Sequence, residues 1–216
     1  MAENTDNGKF SAEEIQAAEV LFRQPVNFVL SVASLAQLLP LTEIGEVAFA
    51  GRSNVGKSSI INALFNQKKL AKTSNTPGRT QQLNYFNLND SIHIVDLPGY
   101  GYAEAPEKLV KQWQKLIFDY LRGRVNLKRV FLLIDSRHGL KKVDKEVMEM
   151  LDKAAVTYQI VLTKADKVSA KELQKQEEAL HTEIKKHAAA YTDIIATSSV
   201  KNQGLDLLRA EIASLI

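Results

Sequence analysis

The run Gly51-Arg52-Ser53-Asn54-Val55-Gly56-Lys57-Ser58 has the composition and spacing of a polyphosphate cradle, G-x-x-x-x-G-K-[ST]. Gly51 and Gly56 let the backbone bend without Cβ clashes, so successive N–H groups turn inward. A following helix adds unpaired N–H groups and a positive dipole end. Lys57 is placed to neutralise the β and γ phosphates and Ser58 to ligate a magnesium ion. The flanks suit this chemistry: Glu46-Val47-Ala48-Phe49-Ala50 reads as a short buried strand and Ser59 to Phe65 as a helix.

Three further polar runs each follow an apolar stretch. Asp96-Leu97-Pro98-Gly99 offers a carboxylate that can hold magnesium through water, and a glycine N–H that can reach the γ phosphate unobstructed. Thr163-Lys164-Ala165-Asp166 resembles the guanine-reading pattern [NT]-K-x-D. Guanine presents two donors on one edge, N1–H and the 2-amino group, and one carboxylate meets both. Adenine has an acceptor at N1 and is repelled. Lys164 can lay its methylene stem across the base. Thr197-Ser198-Ser199 can supply a backbone N–H to the guanine O6. A fifth run, Thr76-Pro77-Gly78-Arg79-Thr80-Gln81-Gln82, carries a threonine hydroxyl that can close onto the metal. Thr80 is favoured because it follows the flexible Pro-Gly-Arg, with Thr76 as its rival.

The elements that must position these runs alternate. Ser11 to Glu14 is a capping box opening a helix that stops before Pro25. Strand 28–32 follows, then a short helical turn at 35–39. After the cradle and its helix, 68–81 reads as a mobile surface segment. Segments 83–88 and 92–95 flank Asn89-Asp90 as a β-hairpin. A helix over 106–122 has Leu109, Trp113, Leu116, Ile117 and Tyr120 as its apolar stripe. Strand 130–135, a helix marked by Val143, Val147, Met150 and Leu151, strand 159–162, a helix opened by Ser169 and Glu172, strand 194–196 and a closing helix complete the chain. Strands alternating with helices predict a layered α/β sheet, in which ligands sit at the carboxyl ends of the strands.

Composition narrows the remaining choices. At 216 residues and 45% hydrophobic the chain has enough apolar material for one domain. It has no Cys, which excludes disulfides and thiolate metal sites. Residues 1–8 are polar with no signal-like apolar stretch, and no apolar run nears a membrane span, so the expected setting is the cytoplasm. Residues 1–24 are expected to form an N-terminal extension, with 1–10 as an unstructured tail before the short helix, and 25–216 the nucleotide-binding domain. Net charge is +3, permitting an anionic partner without requiring one. Lys108, Lys111, Lys115 and Arg122 share one side of the 106–122 helix, and Arg124, Lys128 and Arg129 follow. That basic run is either a contact for RNA phosphate or a solvated face.

Taken in order, the five polar runs resemble those of the EngB group (also called YihA or YsxC) within the TrmE-Era-EngA-EngB-septin-like GTPases. Gly51 to Ser58 and Pro77-Gly78-Arg79-Thr80-Gln81 are the most specific parts. The resemblance runs from about Phe28 to the C-terminus. It implies a three-layer, Ras-like P-loop GTPase fold, its mostly parallel sheet having one antiparallel hairpin strand. It also implies Mg2+ on Ser58 and Thr80, GTP hydrolysis, a role in assembly of the large (50S) ribosomal subunit with its rRNA, and a link to septation. A monomer is expected. Asn54 stands where related GTPases ligate K+, so it is either a potassium ligand or a shaper of the loop. Tyr100 stands where Ras-like enzymes place a water-orienting glutamine, which predicts slow hydrolysis. Thr163 replaces asparagine, which predicts weaker guanine binding. The rival readings are a P-loop ATPase or kinase, and an RNA-binding assembly factor whose nucleotide is structural.

Overall fold

The computed structural model describes residues 8–71, 82–101 and 107–216. Its elements run α1 (Ala12–Phe22), β1 (Val26–Val32), β2 (Gly45–Gly51), α2 (Lys57–Leu64), β3 (Leu83–Leu88), β4 (Ile92–Asp96), α3 (Glu107–Gly123), β5 (Leu127–Asp135), α4 (Lys142–Ala154), β6 (Tyr158–Thr163), α5 (Ala170–Ile184), β7 (Ile195–Ala196) and α6 (Leu205–Ala213). The helical turn after β1 is a 3-10 turn over Leu35–Gln37, shorter than the sequence suggests. The strands form one sheet in the order β1-β3-β4-β2-β5-β6-β7. β3 pairs antiparallel with both β1 and β4, and the other described pairings are parallel. The expected α/β sheet with one reversed hairpin strand is therefore what forms.

Successive side chains on a strand point to opposite faces, and β2 shows why this sheet is covered on both. Val47 and Phe49 join Phe22, Ile60, Ile61, Leu64, Leu208 and Ile212 on the face of α1, α2 and α6. Ala48 and Ala50 join Tyr120, Met148, Leu151 and Leu180 on the face of α3, α4 and α5. All seven residues of β2 are buried. An unpaired polar group would be orphaned on either face, so β2 reads as apolar apart from Glu46, whose buried carboxylate accepts from Arg124 and Tyr120.

Ser11 accepts from the Glu14 N–H while the Glu14 carboxylate accepts from the Ser11 N–H, closing the first turn of α1 as its sequence predicts. α1 is fastened by Phe22, which stacks on Phe65 with centroids 5.2 Å apart. The tail before it differs from expectation: Lys9 is held by Glu211 and by Asp193 at 3.0 Å, so residues 8–10 are anchored to α6, while 1–7 lie outside the described residues. In α4 the buried line runs through Asp144, Met148 and Leu151, with the expected Val143, Val147 and Met150 half-buried beside it. Of the α3 stripe, Leu116, Ile117 and Tyr120 are buried; the side chains of Leu109 and Trp113 lie outside the described residues. No described helix is long and apolar enough to cross a membrane.

Candidate functional site

The carboxyl ends of β2, β4, β5, β6 and β7 bring the polar runs together. β2 ends at Gly51, and a Cβ there would lie 2.8 Å from Val55 Cγ1 and 3.1 Å from the Leu133 Cβ, so the tight turn requires glycine. The loop then passes through two left-handed residues, Asn54 (φ 64°) and Gly56 (φ 105°). Such reversals aim consecutive N–H groups at one point. α2 begins at once, with Gly56 as its N-cap, so its free N–H groups face the same point. Asn54 is exposed, while Arg52, Ser53, Gly56, Lys57 and Ser58 are half-buried and Val55 is sealed.

The loop after β4 runs alongside this turn. Leu97 N–H donates to the Phe49 carbonyl at 3.0 Å, and Ser53 N–H to the Tyr100 carbonyl at 2.9 Å. Gly99 lies so close that a Cβ would be 3.2 Å from Ser53 Oγ and 3.3 Å from Ser53 N. Asp96, Leu97 and Pro98 are buried. The Lys57 ammonium is ion-paired with the Asp96 carboxylate, so a bound phosphate would share that lysine with Asp96. Asp96 and Ser58 are hard oxygen donors suited to Mg2+, which keeps several waters and takes few protein ligands. Among the described residues no group of three His, Asp or Glu side chains could hold a metal alone. Thr76, Gly78, Arg79, Thr80 and Gln81 lie outside the described residues; Gln82, just before β3, is exposed.

The run Thr163 to Asp166, expected to read the base, is fastened to the turn after β2. Thr163 donates its hydroxyl to the Val55 carbonyl at 2.7 Å. One hydroxyl thus makes the loop contact and has no second arm. Lys164 donates to the Asn54 carbonyl at 2.7 Å. Ala165 N–H donates to the Thr197 carbonyl at 3.0 Å, locking this run to the end of β7. Asp166 accepts from the Ser198 hydroxyl at 2.6 Å. That bond, with Lys167 beside it, holds the Asp166 carboxyl below its ordinary range, so it stays an acceptor-only anion at neutral pH. Ser198 and Thr197 are fully buried and Ser199 half-buried.

Sequence reasoning missed two features here. It offers Thr197-Ser198-Ser199 only as a source of backbone N–H, whereas the Ser198 hydroxyl orients Asp166 and the Thr197 and Ser198 N–H groups are spent on the Leu162 and Gln203 carbonyls. It also passed over Asp135, which ends β5 just as Asp96 ends β4; that rule of position would have found it. Arg124 and Arg129 are neither RNA contacts nor part of a solvated face: both are buried, Arg124 on Glu46 and Arg129 on Glu211. Arg122 and Lys128 are exposed, as is Lys115, which pairs with Asp119 at 2.7 Å. The side chains of Lys108 and Lys111 lie outside the described residues.

A family model described as "50S ribosome-binding GTPase" matches residues 46–164, and one described as "Elongation factor Tu GTP binding domain" matches 117–216. The chain is 55% identical over 210 residues to a "Probable GTP-binding protein EngB" of Rhodospirillum rubrum, covering 95% of this chain and 90% of the relative. A protein of the same name from Caulobacter vibrioides is 53% identical over 206 residues, with 95% and 90% covered. Among solved structures, a probable GTP-binding protein engB superposes with a TM-score of 0.62 at 22% identity, covering 79% of this chain and 98% of that one. An Aquifex aeolicus Era variant bound to GDP and aluminium fluoride gives 0.65 at 23%, covering 81% and 57%. At these identities the structural likeness is one of fold.

Proposed function

The chain belongs to the EngB family of GTP-binding proteins, and from that premise we propose that it is a slow, Mg2+-dependent GTPase that switches on the large ribosomal subunit during its assembly. The observation that carries the guanine part is Asp166, an ionised carboxylate held by Ser198 at 2.6 Å and tied through the Thr163 hydroxyl to the phosphate loop. One end of the slot reads a purine edge and the other grips phosphates.

The roles follow from position. The Ser53 and Val55 N–H groups donate to the Tyr100 and Arg52 carbonyls, so it is the N–H groups of Asn54, Gly56, Lys57 and Ser58, with the Lys57 ammonium, that bind the phosphates, the Gly99 N–H reaching the γ group. Ser58 would hold Mg2+ directly, Asp96 through water, and Thr80 would join them from the 78–82 segment. The ion would supply charge neutralisation to the bound polyphosphate. Lys164 covers the base and Asp166 selects guanine. Asn54, exposed and left-handed, is the candidate K+ ligand; initial rates in potassium and sodium, with Asn54→Ala alongside, test it. Residues 25–216 make up the nucleotide-binding domain and 1–24 an extension. We place the protein in the cytoplasm as a monomer, with septation affected through ribosome supply.

The family-model description and the exposed Lys115, Arg122 and Lys128 support a ribosomal RNA partner. Calorimetric titration with GDP and ADP tests the nucleotide reading: heat with GDP alone is expected, and heat with ADP alone overturns it. Pull-down with large subunits should depend on GTP analogue against GDP and fall steeply with salt; equal retention in both nucleotide states rules out a switch.

A further inference from the structure

Asp135 closes β5, between the strand that leads to the phosphate loop and the strand that leads to the base-reading run. Its side chain is buried and touches two cations. Arg137 lays its guanidinium along the carboxylate, Nε to Oδ1 at 3.0 Å and Nη2 to Oδ2 at 2.8 Å. The Arg137 backbone N–H donates to Oδ1 at 3.0 Å. Lys164 then donates to Oδ2 at 2.7 Å, and to the Asn54 carbonyl at 2.7 Å. Lys164 has φ 57°, a region unfavourable for a residue with a Cβ. Its contacts must therefore hold it there. Its stem passes over Gly56, where a Cβ would lie 3.6 Å from Lys164 Cε.

We propose that Asp135, braced by Arg137, is a positioning residue for purine binding, fixing the Lys164 ammonium so that the lysine stem stands ready as one wall of the base slot. The proposal rests on the guanine-nucleotide reading above and deepens it. A lysine has several free rotors, and clamping it only when the base arrives would charge that entropy to binding. Anchoring it beforehand removes the cost from the nucleotide. Two acceptors are needed, since the Asn54 carbonyl alone leaves the ammonium free to pivot. Burial disfavours the Asp135 anion, but the Arg137 and Lys164 hydrogen bonds outweigh it and hold the carboxyl well below its usual range. The brace is therefore charged at any physiological pH. Asp135 bonds the lysine and not Asp166, so it sets how long a purine stays and leaves the choice of purine to Asp166.

The test is a double-mutant cycle on the full chain, comparing wild type, Asp135→Asn, Lys164→Ala and the pair. GDP affinity is read by calorimetry and release of a fluorescent GDP analogue by stopped flow. Asp135→Asn keeps the shape and removes the charge. It should weaken GDP about ten-fold, the scale of one charge-assisted hydrogen bond, and chiefly through faster release. Its preference for guanosine over xanthosine diphosphate should be unchanged. With Lys164→Ala already present the second substitution should add nothing. Arg137→Gln, at an exposed side chain, should give a smaller loss that also vanishes without Lys164, and it decides the matter if Asp135→Asn does not fold. A loss of equal size with and without Lys164 would mean that Asp135 merely supports the loop, and overturns the proposal, as does wild-type release from Asp135→Asn. If the wild-type chain itself binds no GDP, the nucleotide reading falls and takes the brace with it; GDP binding equal in wild type and variants removes the brace alone.

Discussion

The Tyr100 hydroxyl donates to the Asp144 carboxylate at 2.8 Å, tying the loop after Gly99 to the first turn of α4. Both side chains are buried, and the ring packs with Tyr120 and Met148 on the α3–α4 face of the sheet. The same carboxylate accepts the Lys141 N–H at 2.8 Å, capping that helix. Burial pushes the Tyr100 hydroxyl and the Asp144 carboxyl both upward. A phenol spent in this way is not available to orient a water against a phosphate, which gives the expected slow hydrolysis a structural cause.

Tyr100→Phe should therefore cost stability and leave chemistry alone. Removing the hydroxyl leaves a buried carboxylate with one partner fewer, at about 1–3 kcal/mol. Chemical denaturation should show that loss, while single-turnover GTP hydrolysis stays within about two-fold of wild type. A ten-fold fall in rate at equal folding would place the phenol in the reaction.

Ser198→Ala should make GDP binding sensitive to acid. The Ser198 hydrogen bond lowers the Asp166 pKa, so its removal moves that pKa up. Binding needs the ionised carboxylate and is lost as pH falls through the pKa of the free protein. Affinity in the variant should therefore begin to fall at a higher pH than in wild type, on top of a several-fold weakening at neutral pH (about the scale of one lost hydrogen bond). Calorimetric titrations between pH 7 and pH 4 check this; parallel pH profiles would mean that Ser198 does not govern the charge on Asp166.

Gly99→Ala should separate the two nucleotides. The new Cβ would sit 3.3 Å from the Ser53 nitrogen, whose N–H is engaged with Tyr100 and which has little room to yield. Relief means moving the Gly99 N–H, the group assigned to the γ phosphate. A non-hydrolysable GTP analogue should lose about ten-fold in affinity, a bond to a charged acceptor, and GDP much less. Equal losses for both would show that the strain is borne by the phosphate loop as a whole.

These contacts also show what the sequence could and could not disclose. The turn from Gly51 to Ser58, the hairpin at Asn89-Asp90 and the capping boxes at Ser11 and Ser169 are local: each is encoded within a few residues, and each forms as read. The rule that ligand groups sit at strand carboxyl ends brought Asp96, Asp166 and Ser198 into view together. Contacts decided by distant partners were hidden. Arg124 and Arg129 look like members of a basic surface because Glu46 and Glu211 lie 78 and 82 positions away. Asp135 and Lys164 are 29 apart, and only the parallel pairing of β5 with β6 brings them side by side.

Glu46 bears the most severe of the expected stability effects. It opens β2 at the end of the sheet opposite the phosphate loop, and none of its side chain reaches solvent. Arg124 donates to it through Nε at 2.8 Å and Nη2 at 2.5 Å. The Tyr120 hydroxyl donates at 2.9 Å, with Tyr85 at 3.4 Å, and burial together with the Glu46 charge pushes both hydroxyls upward. Arg124 also donates to the Leu39 carbonyl at 2.7 Å. The cluster thus joins β2, β3, the end of α3 and the segment before β2. Glu46→Gln is isosteric, yet it strands the Arg124 charge in the interior. Breaking a buried pair from one side costs about 3–5 kcal/mol, a large part of an ordinary domain's stability and worth roughly 10 °C in melting temperature. Replacing both ends, Glu46→Leu with Arg124→Met, should recover much of that loss, because no uncompensated charge remains. GDP affinity of the folded single variant should match wild type, since the cluster and the nucleotide loop occupy opposite ends of the strands. A double variant no better than Glu46→Gln would show that the phenols and the Leu39 carbonyl, not the ion pair, dominate this end of the sheet.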